Sequence, residues 1–125
     1  MNHLVYGREN VHISSYANLV LLTKVYARLE QRRWRRARAA FLTEQLKLHG
    51  KLICHYCGRN DLIIGAQKRS LRATVDHVIP RSRGGNEFNS DNFVVCCNSC
   101  NKKKANESAE QFKCSKYIQD KKKLS

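Results

Sequence analysis

The chain has 125 residues, 42% of them hydrophobic, and carries 24 Lys and Arg against 10 Asp and Glu, a formal charge of +14. That length suits one compact domain plus an appendage, and so small a core gains from a staple. The charge points to a polyanionic partner; the longest apolar run, Phe93 to Cys97, is far too short to cross a bilayer, so no membrane partner is expected.

Residues 1–13 are mixed and are expected to be irregular. Ser14 and Ser15 offer helix caps, and from there to His49 there is neither Pro nor Gly. Gly50 then supplies a stop, with Lys47 and His49 well placed at a helix C-terminus. The pattern predicts one long helix, or two with a bend, over residues 15–49. Leu19, Leu22, Val25, Tyr26 and Leu29 form its apolar stripe, continued by Trp34, Ala37, Phe41, Leu42 and Leu46. Such a stripe packs on the domain or on a second copy, so a homodimer through this helix is one option. The other faces carry Arg28, Arg32, Arg33, Arg35, Arg36 and Arg38. These long side chains can be a solvated face; the overall charge favours a phosphate-tracking helix.

Beyond Leu52 the texture changes to short stretches punctuated by Gly58, Gly65, Pro80, Gly84 and Gly85. Ala73 to Ile79 is β-branched and reads as a strand ending at Pro80, and Phe93 to Cys96 as a second. Asn98 to Ala105 reads as a short helix. Ser108 with Gln111 makes a capping-box pattern that opens a last helix through about Ile118. Lys121 to Lys123 read as a disordered basic end. The organisation expected is a basic helical extension over 1–50, a folded domain over 51–118 and a basic tail over 119–125.

The six cysteines are Cys54, Cys57, Cys96, Cys97, Cys100 and Cys114. No secretory pattern opens the sequence, so an intracellular setting is expected, cytoplasm or nucleoid, with an organelle or a phage-infected cell left open. In a reducing compartment clustered thiols read as metal ligands. Cys54-x-x-Cys57 and Cys97-x-x-Cys100 are two chelating pairs that together complete a four-cysteine structural zinc site. Cys96 is expected as a buried strand residue, Cys114 as a helix core residue and His55 as exposed.

Between the knuckles lies Val75-Asp76-His77-Val78-Ile79-Pro80. Hydrolysing a phosphodiester needs an activated water, an electrophilic charge on the phosphate and a stabilised leaving oxygen. His77 brings the side-chain type suited to take a proton near neutral pH. Asp76 and Asn101 offer hard oxygens for Mg²⁺ or Mn²⁺, which would keep several waters and take phosphate oxygens as further ligands. Asn101 lies near a helix start, where phosphate is favoured. Lys104, three residues on, can contact a nucleic-acid backbone, as can Arg81 and Arg83 in the loop after Pro80. Asp76 and His77 are neighbours, and neighbours on a strand face opposite ways. For both to serve one site the strand must end or bulge there, or the site must sit across its edge.

Taken in order, C-H-Y-C-G, D-H-V-I-P-R-S-R-G-G, D-N-F and C-N-S-C-N-K-K-K resemble the HNH endonuclease family over roughly residues 52–112. The resemblance implies an α+β fold: a small ββα-metal nuclease domain with a four-cysteine zinc site, preceded here by the long basic helix. It implies His77 as general base, Asp76 and Asn101 as ligands of the catalytic metal, and Asn92 as a brace for the loop that carries His77. Products with 5′-phosphate and 3′-hydroxyl ends would follow. Asn101 stands where the family often has His, which favours an oxygen-loving metal. DNA is the expected substrate ahead of RNA, for which Trp34, Tyr56 or Phe93 would have to stack on bases. The rival reading is a non-catalytic zinc-stapled nucleic-acid-binding module, which has no use for Asp76, His77 and Asn101 together.

Overall fold

In the computed structural model the backbone is described for residues 2–124 and the side chains for residues 15–124. Helix α1 runs from Asn2 to His49. It passes straight through Ser14 and Ser15, so neither stands at its start. Upstream there is no Pro and a single Gly, Gly7, so nothing stops the helix from extending. It ends as expected: Gly50 adopts φ 70° and donates its N–H to the Leu46 carbonyl at 2.8 Å, the left-handed cap that glycine adopts at least cost.

Backbone contacts divide the chain into two compact units, residues 1–33 and residues 34–125. In the first, Leu19, Leu22, Val25, Tyr26 and Leu29 are all exposed. The second takes in the C-terminal part of α1, where Phe41 and Leu42 are buried and Trp34 and Ala37 pack beside them. Of the ten stripe residues, four thus belong to the core or pack on it, and Leu46 is exposed.

Strands β1 (Ala73–His77) and β2 (Phe93–Cys97) pair antiparallel, from Ala73 opposite Cys97 to His77 opposite Phe93. β1 stops two residues short of the expected Ile79, so the ladder ends at His77. Helix α2 (Asn98–Lys104) leaves directly from β2, and the Cys97 thiol caps it by accepting from the Cys100 N–H at 3.5 Å. This β1–β2–α2 arrangement, with the long helix before it, makes the fold α+β. Gly85 is required in the connecting loop because a Cβ there would lie 1.8 Å from the Ile79 carbonyl oxygen.

Ser108 and Gln111 form the predicted capping box, opening α3 (Ala109–Lys113). The Ala109 N–H also donates to the Val78 carbonyl at 3.0 Å, tying α3 to the end of β1. The chain then turns at Cys114, which is exposed rather than core, and α4 follows (Lys116–Leu124). Lys121 to Lys123 therefore lie in a helix and not in a disordered end, with Lys121 Nζ 4.9 Å from the Tyr117 ring centre. Buried Phe112 and Ile118 seal this corner, Phe112 meeting the Tyr56 ring edge-on at 5.0 Å. Among the described residues no helix is long and apolar enough to cross a membrane.

Candidate active site

The two C-x-x-C turns meet. The first closes with the Gly58 N–H on the Cys54 carbonyl at 3.0 Å; the second spans the β2–α2 junction. Cys54, Cys57, Cys97 and Cys100 bring their sulfurs within 4.8 Å of one another, with Cys57 and Cys97 at 3.8 Å. A tetrahedron of thiolates about 2.3 Å from a zinc ion has edges of about 3.8 Å, so the cluster could hold a metal such as zinc after a small contraction. Thiol donation, from Cys100 above all, holds the Cys54 sulfur far below the ordinary thiol range, and the bond to Cys54 pushes Cys100 well above it. Four adjacent sulfurs cannot all ionise unaided; a dication removes that conflict and releases their protons. Cys96 is fully buried, donates to the Cys97 carbonyl and stays outside the cluster; His55 is exposed.

The opposite requirement, an open polar site, is met in a cavity of about 470 Å³ lined by His77, Asp76 and Asn101 with Trp34, Arg38 and Arg72. Because the ladder ends at His77, the last paired residue of β1, the site sits at the strand's end, where Asp76 and His77 both line one cavity.

His77 Nε2 lies 2.9 Å from the Glu87 carbonyl oxygen. A carbonyl only accepts, so Nε2 carries the proton and Nδ1 is the ring's free acceptor. Asn92 stabilises this arrangement from behind. Its carbonyl accepts from the Ile79 N–H at 2.9 Å, and its amide donates to the Ile79 and Asn86 carbonyls at 3.0 and 2.9 Å. It thereby clamps the two ends of the loop whose Glu87 carbonyl holds His77.

Asn101 is oriented by a short chain of bonds. Thr74 spends its hydroxyl proton on the Cys96 carbonyl at 2.7 Å, so its oxygen accepts from Asn101 Nδ2 at 3.3 Å. The side-chain Oδ1 of Asn101 is left without a hydrogen-bond partner among the described residues. Asp76 is similarly half-committed. Its Oδ2 accepts from the Tyr56 hydroxyl at 2.5 Å and pairs with Lys104 Nζ at 3.0 Å. Burial first, then the Asp76 carboxylate, push the Tyr56 hydroxyl well above the ordinary phenol range, so it remains a donor. Each prospective metal ligand thus offers one hard oxygen, a fit for an ion that completes its shell with water and phosphate.

Lys104 overturns its sequence reading. It is 1% exposed, and Nζ also donates to the His77 carbonyl at 3.0 Å. It holds the backbone and carboxylate of the Asp76–His77 pair together and does not present itself to a nucleic acid. Arg32, Arg33, Arg35 and Arg36 are exposed on α1. Arg81 pairs with Glu87 at 3.1 Å, and Arg83 donates to Gln111 at 3.0 Å. Arg38 and Arg72 are cavity residues that sequence reasoning missed. Arg72 is braced by the Ala66 and Gln67 carbonyls at 2.8 and 3.2 Å. Arg38 lies one helical turn from Trp34, on the apolar stripe and not on an outer face; a lone cation within that stripe was the signal available.

Residues 54–107 match the family model for HNH endonuclease. Comparison with curated proteins and with solved structures finds no match.

Proposed function

From the match of residues 54–107 to the HNH endonuclease family model, we propose that the chain is a metal-dependent endonuclease that hydrolyses phosphodiester bonds in DNA. The observation that supports it most is the convergence of His77, Asp76 and Asn101 on one open cavity, each with an uncommitted acceptor atom.

His77 Nδ1 takes a proton from the attacking water, while Nε2–H stays on the Glu87 carbonyl and keeps the ring in the productive tautomer. Asp76 and Asn101 would hold a catalytic Mg²⁺ or Mn²⁺, which would supply Lewis-acid stabilisation of the phosphate and the leaving oxygen. Lys104 beside Asp76 opposes a bare cation, so ion and phosphate are expected to bind together. Arg38 and Arg72 face the same cavity and suit the phosphate's free oxygens. The four cysteines would hold Zn²⁺ as the structural ion. The exposed arginines at 32, 33, 35, 36, 81 and 83 supply sequence-independent affinity. The exposed stripe Leu19, Leu22, Tyr26 and Leu29 supports pairing with a second copy through α1, which light scattering tests.

The reading is tested by nicking of supercoiled plasmid with Mg²⁺ or Mn²⁺, with EDTA as control. His77→Ala should lower the rate by at least roughly a hundredfold while zinc content, melting and DNA affinity stay near wild type. A wild type that binds DNA yet never cuts it would leave a zinc-stapled binding module as the function.

A further inference from the structure

The family match begins at Cys54, yet one wall of the cavity comes from well upstream on α1. Trp34 is half-buried and lines the cavity beside His77. Its indole stacks on the His77 imidazole with ring centres 4.9 Å apart and planes 23° from parallel. Phe93 meets both rings edge-on, 5.4 Å from each.

These contacts restrict different freedoms of one side chain. The indole face sets the plane of the imidazole, the Phe93 edge limits sliding across that face, and the Glu87 carbonyl fixes rotation within the plane. The restriction matters because His77 is the last residue of β1, where the strand ladder ends and two side-chain torsions are otherwise free to wander. Helix anchoring does not account for Trp34. Phe41 and Leu42, two turns on, are already buried in the core, whereas the indole borders a polar, open cavity.

We propose that Trp34 is a positioning residue for the hydrolysis: its indole holds the His77 imidazole in the plane from which Nδ1 reaches the attacking water. The proposal rests on His77 being the general base.

Trp34 is the chain's single tryptophan, so its emission reports the stack with no assay of activity. In the full-length, zinc-loaded protein, His77→Ala should change that emission; an unchanged spectrum and lifetime overturn the contact. In steady-state nicking, Trp34→Leu keeps apolar bulk but removes the ring face. It should lower kcat about tenfold or more and leave KM within about twofold, since a misplacement of about 1 Å costs up to a hundredfold. Trp34→Phe restores a ring face and should recover most of the loss. A Trp34→Leu protein at wild-type kcat, a loss that Phe fails to recover, or a loss that follows the unfolded fraction overturns the proposal. The two readings fail differently. If wild type nicks, His77→Ala does not and Trp34→Leu does so at full rate, only the positioning role falls. If wild type never nicks, the base assignment fails and the positioning role fails with it.

Discussion

The cysteine cluster and the His77 cavity both take residues from the β2–α2 junction, and they treat a cation in opposite ways. The cluster is closed: four soft ligands from the chain, three of them buried and one half-buried, with sulfurs already near tetrahedral spacing. The cavity is open: two hard oxygens, each the spare atom of a residue whose other polar atom is tied down. The first arrangement leaves nothing for a substrate to add, which is what a structural site needs; the second leaves most positions to water and phosphate, which is what a catalytic site needs. Cys100 and Asn101 are adjacent in sequence, so one helix start serves both, and folding of the cluster sets the position of the cavity.

Removing the structural ion should have the largest effect. Chelation, or Cys57→Ser, should unfold residues 52–112, because binding energy of about 10 kcal/mol or more at such sites is folding energy. Thermal melting with and without chelator reads this directly. A Cys57→Ser protein that melts normally would show that the cluster does not support the cavity.

Next in size is the buried pair behind the cavity. Lys104→Met leaves the Asp76 carboxylate buried beside Tyr56 alone, at a cost of about 3–5 kcal/mol. Denaturant unfolding should show it, with zinc still bound at low denaturant. A near-neutral Lys104→Met would mean that water replaces the ammonium and that Lys104 is dispensable to the geometry.

Asn92→Ala should act more locally. It removes three hydrogen bonds, two to Ile79 at the start of the loop and one to Asn86 beside Glu87, each contributing about 0.5–1.5 kcal/mol. Nicking should fall by more than stability alone explains; a loss strictly proportional to unfolding would make Asn92 a fold residue only.

The smallest effect concerns neither region. Neutralising Arg32, Arg35 and Arg36 should flatten the slope of log K against log salt by up to about 0.9 for each phosphate that an arginine no longer neutralises, with kcat unchanged. An unaltered slope would make these arginines a solvated face.

Local rules made much of the molecule legible. The C-x-x-C pairs, the Gly50 stop, the Ser108–Gln111 box and the two strands each follow from a few neighbouring residues, and each stands in the structure. The misreadings came where a side chain's partner lies far away in sequence. Lys104 looked like a surface cation because nothing nearby in the chain announces Asp76 beneath it. Arg38 reads as an outer-face arginine by residue type, and only the cavity it lines shows which way it faces. Cys114 and the Lys121–Lys123 stretch differ from expectation because α3 ends early and a second helix restarts just after Ser115.

By itself, the sequence determined which chemistry is present: soft ligands in two pairs, a carboxylate and imidazole side by side, and an amide following the last cysteine of the second pair. Those are properties of residue type and spacing, which survive in any conformation. Only the tertiary structure decided which atoms are free to act. It commits Nε2 of His77, Oδ2 of Asp76 and Nδ2 of Asn101 to partners 10 to 28 residues away, and it brings Trp34 from outside the matched segment onto the imidazole face. Hydrogen-bond saturation and ring packing are pairwise and long-range, so they become definite only once the chain has closed on itself.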